Sequence, residues 1–420
     1  MSLIIKNGVI FYEGNFVEGS IRIENKEIVE VGKGPGLEEE AEEVVDAKGC
    51  LVLPGLIDLR TTFPFPSRQK VDLRLLTRRK AMGGFTTIIV DPQPTSSIGF
   101  DWVSFLSEIS SIDGPLLSNI AFLTHLFFKR SDHLRNFSIG DSLSLSLWSY
   151  CKLSFSDKEL SKGGEKPLLF YFPSLDCNQK ERSNLPIDQD SIISQKSLLH
   201  EFVSKNKSVI LLNIISPKLL EEFSSTSKQG KVLVASPISW LVFSNVFAEK
   251  VLRSNSKAKF EFNLGSSDDL RTMIQNLLDR RIDLAYPDKI GYVLDEEIYE
   301  IDTSPLFLPA YFAIIKKYST DLSLIPLNTK KIANEFKLFD RSEIQSGYKA
   351  DLVLFDYKRP TSRTFVERLG LEYSQRLQES LYGEVVMTIN NGKISYESES
   401  DYSSYSSGVI IKSEYGVRSR

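Results

Sequence analysis

Between residues 55 and 288 the chain repeats one phrase: a short apolar run, a polar or helical connection, then another apolar run. The runs are Gly55–Thr62, Phe85–Asp91, Ile120–Phe127, Leu143–Trp148, Pro167–Pro173, Val209–Ile214, Lys231–Ser236 and Ile282–Asp288. Each is too short for a buried helix, so each is read as a strand. Amphipathic helical patterns lie between several of them, as in "DLRLLTRRKAMGG" at 72–84 and "DDLRTMIQNLLDRR" at 268–281. Eight such units in fewer than 300 residues predict a (β/α)8 barrel. A doubly wound sheet is the alternative. No Gly-x-Gly-x-x-Gly follows an early strand, which weakens its dinucleotide-binding version. Gly83-Gly84 reads as a helix end before the second strand rather than as a phosphate cradle.

The two ends of the chain have a different texture. "LIIKNGVIF", "GSIRIENKEIVEVG" and "EEVVDAKGCLVLPG" are short strands punctuated by Asn-Gly, Glu-Gly and Lys-Gly turns. "GYKADLVLFDY" at 347–357 and "GEVVMTINNGKISY" at 383–396 are equally strand-rich. The expected organisation is an α/β barrel over 54–339, inserted in a small discontinuous β-sandwich made of 1–53 and 340–396. The remainder, 397–420, opens with "SESDYSSYSSG" and reads as a polar surface tail.

Composition excludes some classes of function. The net charge of −4, with basic residues spread along the chain, leaves no nucleic-acid footprint. No apolar run approaches the roughly 18 residues of a membrane span, and the N-terminus lacks a signal-peptide pattern. Cys50, Cys151 and Cys177 are far apart and odd in number, so a disulfide framework is not expected and a cytoplasmic location is. Cys177 has no His close in sequence to activate it. The three histidines, His125, His133 and His200, sit in an apolar strand, a polar loop and a helical phrase. None of them stands in a pattern that would ligate zinc.

"VLPGLIDLRTTF" followed by "AMGGFTTIIVDPQPT" resembles the dihydroorotase branch of the amidohydrolase superfamily. Members typically read Leu-Pro-Gly-Leu-Ile-Asp-x-His-x-His, then Gly-Gly-Phe-Thr-Thr, then Pro-Asn-Thr. The closing phrases "SGYKADLVLFDY" and "GEVVMTINNGKISY" are similar to the family's last β-domain. The likeness spans nearly the whole chain and is faint between about 95 and 255. It implies one or two zinc ions at the C-terminal ends of the barrel strands, a metal-bound hydroxide attacking a cyclic amide, and an Asp on the last strand moving the proton. A metal does this by lowering the pKa of water from about 15.7 to about 7.

Carried over residue by residue, the family's ligand positions fall on the wrong chemistry. The two histidines of His-x-His become Arg60 and Thr62. Strand alternation predicts Asp58, Arg60 and Thr62 on one inward face. A guanidinium cannot lose a proton to bind metal. The later metal histidines align with Tyr171 and Asn213. The substrate-binding positions fall on Pro64, Gln93 and Glu261. The proton-shuttling Asp is kept as Asp288, followed by Lys289 in place of a His. No equivalent of the bridging carboxylate is visible in "LSLSLWSY".

These substitutions imply no metal and no zinc cofactor. Strands one and eight are neighbours in a closed barrel, so Arg60 is expected to neutralise Asp288 as a structural ion pair. Three functions follow. The first is a non-catalytic dihydroorotase-like subunit of pyrimidine biosynthesis, in a homo-oligomer or a complex with a pathway enzyme. The resemblance points to aspartate transcarbamoylase, which some non-catalytic homologues hold together. The second is an active cyclic-amide hydrolase with an atypical site around Asp288. The third is a small-anion binder using Arg60, Lys289, Tyr171 and Glu261.

Overall fold

The computed structural model describes residues 2–33, 37, 40–65, 73–94, 116–125, 144–148, 167–171, 203–204, 208–227, 232–238, 259–260, 267–287, 289–294, 297–368, 381–398, 408–409 and 411. Its N-terminal strands are β1 (Ser2–Tyr12), β2 (Asn15–Glu24), β3 (Glu27–Gly32), β4 (Glu43–Asp46) and β5 (Leu51–Pro54). Two-residue turns join the first three. Glu13-Gly14 and Asn25-Lys26 all have positive φ, as the twist-matched hairpin turn demands. Asn7-Gly8, read as a turn, is instead a bulge inside β1, where the register with β2 shifts between Ile5 and Gly8. Asn7 takes the left-handed conformation there and the strand continues.

The barrel strands follow: β6 (Leu56–Phe65), β7 (Phe85–Pro94), β8 (Asn119–His125), β9 (Ser144–Trp148), β10 (Leu168–Tyr171), β11 (Val209–Leu212), β12 (Val232–Pro237) and, after the short β13 (Lys259–Phe260) of another sheet, β14 (Leu284–Tyr286). All eight strands expected from the sequence are present. They pair in parallel in the order β6-β7-β8-β9-β10-β11-β12-β14. The helices are α1 (Leu73–Met82), α2 (Pro217–Ser227), α3 (Ser267–Leu278), α4 (Phe307–Tyr318), α5 (Leu324–Glu335) and α6 (Arg363–Arg368). α1 stops at Gly83-Gly84 for two reasons. Gly84 has φ +84, and a Cβ on Gly83 would lie 2.3 Å from the Ser304 carbonyl oxygen.

The strands bury both faces. Leu56, Ile88, Val90, Phe122, Phe170, Leu211 and Val234 pack outward with Phe223, Met273 and Phe307 from the helical layer. Ile57, Leu59, Ile89, Leu123, Leu169, Ile210, Leu212, Leu284 and Tyr286 fill the lumen. Ile332, Ala333, Phe336 and Leu338 of α5 and the turn after it join that inner cluster, so α5 closes the barrel floor. The seam between β14 and β6 carries no backbone ladder in the described sheet. Asn328 of α5 serves the free edge of β14 instead. Its Oδ1 accepts from Ala285 N at 2.7 Å and its Nδ2 donates to Ala285 O at 2.9 Å. The eight-stranded barrel read from the sequence is present, and Asn328 of α5 bonds β14 at this seam.

After β14 an antiparallel hairpin, β15 (Lys289–Leu294) and β16 (Glu297–Asp302), pairs with β13. The chain then returns to the first sheet through β17 (Leu352–Pro360), β18 (Tyr382–Asn390) and β19 (Lys393–Glu397). β17 lies antiparallel to β5, which joins the two ends of the chain in one sheet. Asn391-Gly392 forms the β18–β19 turn with both φ values positive.

A buried polar hub joins this sheet to the barrel floor. Asp351 accepts from Arg341 Nη1 at 2.5 Å, from Asn391 N at 2.7 Å and from Asn119 Nδ2 at 3.2 Å. Burial raises the Asp351 carboxyl above the usual range, and Arg341 pulls it back down. Replacing Arg341 with Met should cost about 3–5 kcal/mol, because a buried carboxylate loses its counter-charge. Asp351 then keeps its proton more readily in the folded state than in the unfolded one. The cost should therefore be smaller near pH 5 than near pH 8 by linkage, with stability lost as pH rises. Urea midpoints at the two pH values measure this, and an equal loss at both would contradict the assignment.

Candidate functional site at the barrel mouth

The mouth is set by how β6 ends. Pairing of β6 with β7 runs Ile57↔Thr87 and Asp58↔Ile88, then skips to Thr61↔Val90 and Thr62↔Asp91. The skipped residues form a bulge, so alternation fails across 58–61. Asp58 consequently points away from the lumen, correcting the expectation that Asp58, Arg60 and Thr62 share a face. Its Oδ2 accepts from Lys80 Nζ of α1 at 2.7 Å and from the Thr61 hydroxyl, and its Oδ1 accepts from Arg60 N at 3.1 Å. Lys80 also reaches Ser304 Oγ at 2.5 Å and lies 3.6 Å from Asp302. A fully buried aspartate thus grips Arg60 and Thr61 and anchors the bulge to the outer helix.

Arg60 is turned the other way by this arrangement. Its Nε donates to Asp91 Oδ2 at 2.8 Å, with the side chains 3% and 0% exposed. Ile89, two residues before Asp91, lies in the lumen cluster, so the pair occupies the lumen side of β7. The partner expected for Arg60 was Asp288, which lies outside the described residues. Asp91 is the residue that sequence reading missed. Its signal was present: an acid at the end of the apolar run "FTTIIVD", level with Thr62 on the neighbouring strand.

Across the mouth a second contact was also missed. Tyr286 of β14 is fully buried, and its hydroxyl accepts from Asn213 N at 3.1 Å. Asn213 is not on β11 as expected but one residue past its end, in the left-handed region with φ 63. Tyr171 is the last residue of β10. Pro64 and Gln93 face each other in the β6–β7 register near the strand ends. Lys289 opens the β15 hairpin strand opposite Asp302, where a site residue directly after β14 was expected. Glu261, His133, His200, Cys151 and Cys177 lie outside the described residues, while His125 ends β8. Cys50 is buried in the sandwich, where burial pushes its thiol up to about 11, so it stays protonated and inert.

The described residues of the mouth do not by themselves make up a zinc site. A zinc site needs several convergent imidazole, thiolate or carboxylate donors at about 2.0–2.3 Å. Here Arg60, a permanent cation, sits where the first ligand would be, and the nearby carboxylate is taken up by it. Among the described residues no group of three or more His, Cys, Asp or Glu side chains converges as ligands would. No described helix is long and apolar enough to cross a membrane.

No family model matches the chain. It is 25% identical to the dihydroorotase of Clostridium acetobutylicum, covering 94% of this chain and 99% of that one. The dihydroorotase of Bacillus subtilis gives the same identity and the same coverage. Among solved structures, dihydropyrimidinase from Brevibacillus agri superposes with a TM-score of 0.76 at 17% identity, covering 98% of this chain and 99% of that one. L-Hydantoinase from Arthrobacter aurescens gives a TM-score of 0.76 at 16% identity, with coverage of 98% and 99%. The chain is therefore dihydroorotase-like in sequence over nearly its whole length, on the TIM barrel plus β-sandwich fold of the hydantoinases.

Proposed function

We propose that this is a dihydroorotase-like protein of the pyrimidine-biosynthesis type that has given up metal chemistry and acts as a structural or regulatory subunit. The observation that carries the reading is the buried Arg60–Asp91 ion pair at the mouth. Water activation by a metal is worth some eight or nine pKa units, and nothing among the described side chains replaces it. The ion pair is read as a filler. It satisfies a volume and a charge that the family devotes to ligands, while the bulge held by Asp58 keeps its geometry. The partner the resemblance points to is aspartate transcarbamoylase.

Purified protein should hold well under one zinc per chain by elemental analysis, and should neither cyclise carbamoyl-aspartate nor open dihydroorotate. Stoichiometric zinc together with turnover would sink the reading and restore the active-hydrolase alternative. Size-exclusion of a mixture with aspartate transcarbamoylase should give one larger species. Separate elution removes that partner and leaves the metal-free reading standing.

A filler pair also has an energetic signature. Arg60→Met alone should cost about 3–5 kcal/mol, because Asp91 is left buried and uncompensated. The double change Arg60→Met with Asp91→Leu should recover most of that, since an apolar pair of similar volume is about neutral in a buried site. Denaturant midpoints of the four proteins test the non-additivity. A double variant as unstable as the sum of the singles would mean that the pair is not a filler.

A further inference from the structure

In the segment beyond 397, which the sequence reads as a polar surface tail, the described residues Gly408, Val409 and Ile411 lie along β8. Ile120 of β8 donates its N–H to Val409 O at 2.9 Å and accepts from Ile411 N at 2.8 Å. One residue bonded through both backbone groups to j−1 and j+1 is the parallel-strand pattern. Gly408 N donates to Leu116 O at 2.7 Å, and Val409 N to Asn119 Oδ1 at 3.1 Å. Ile411 packs against the lumen cluster.

The position explains the need. β7 pairs with Asn119–Phe122 on one side of β8. On the other side, the β9 register begins only opposite Leu123. The first turn of β8 would otherwise present backbone groups with no ladder, a costly arrangement in a wall buried on both faces. The C-terminal segment supplies that ladder. Asn119 makes it more than a patch, because its Oδ1 also accepts from Asn391 Nδ2 and its Nδ2 reaches Asp351 and Asn390. The docked strand therefore meets the hub that joins barrel and sandwich.

We propose that the floor edge of β8, Leu116–Ile120, is a strand-docking site whose occupant is the chain's own segment carrying Gly408, Val409 and Ile411. Backbone bonds give the affinity, and two side-chain rules give the specificity. Position 408 must be glycine, because a Cβ there would lie 2.3 Å from the Ser118 carbonyl oxygen and 2.8 Å from Leu116 Cβ. Position 411 must be apolar, because it packs on the barrel interior.

Hydrogen exchange on the full-length protein tests this. Amides of Ile120 and Ile411 should be protected, and Gly408→Val should speed their exchange about tenfold or more while the β11 peptide stays unchanged. Adding a synthetic peptide of residues 405–414 to the Gly408→Val protein should restore protection at Ile120. The same peptide carrying valine at 408 should not. Exchange at 408–411 as fast as in a free peptide, no change at Ile120 in Gly408→Val, or no restoration by the wild-sequence peptide would each overturn the proposal.

Discussion

The mouth of this barrel depends on one buried carboxylate. Asp58 is fully excluded from water, and it is tolerable only because Lys80, the Thr61 hydroxyl and the Arg60 N–H all serve it. Those contacts hold a bulge. The bulge breaks strand alternation and swings Arg60 toward the lumen, where it meets Asp91. Without the bulge Arg60 would follow Asp58 to the same face, away from Asp91.

The molecule otherwise spends its buried polar groups at junctions. Lys80 ties the outer helix α1 to β6 and to the turn at Asp302–Ser304. Asn328 bonds both backbone groups of Ala285 and ties α5 to β14. Asn119, Asp351, Arg341 and Asn391 fasten the sandwich to the floor. Polar networks satisfied at every member fix position more strictly than apolar packing does.

The reading as a non-catalytic subunit rests on chemistry rather than on likeness. The likeness to dihydroorotases at 25% identity describes ancestry and fold. The substitution of a permanent cation at the first ligand position describes what the site is able to do.

The order of strands, the discontinuous sheet made from both ends and the end of α1 at Gly83-Gly84 were all legible in the amino-acid order. These are local properties: periodicity, turn chemistry and the identity of donor atoms. Which way Arg60 faces, its pairing with Asp91, the Tyr286–Asn213 contact and the docking of Ile411 were not. Each joins residues 31 to 291 positions apart, or depends on a bulge that no periodic pattern announces. Sequence determined which groups could not bind a metal. Only the tertiary structure decided what took their place, because the free energy of a buried charge depends on the neighbours that packing brings to it.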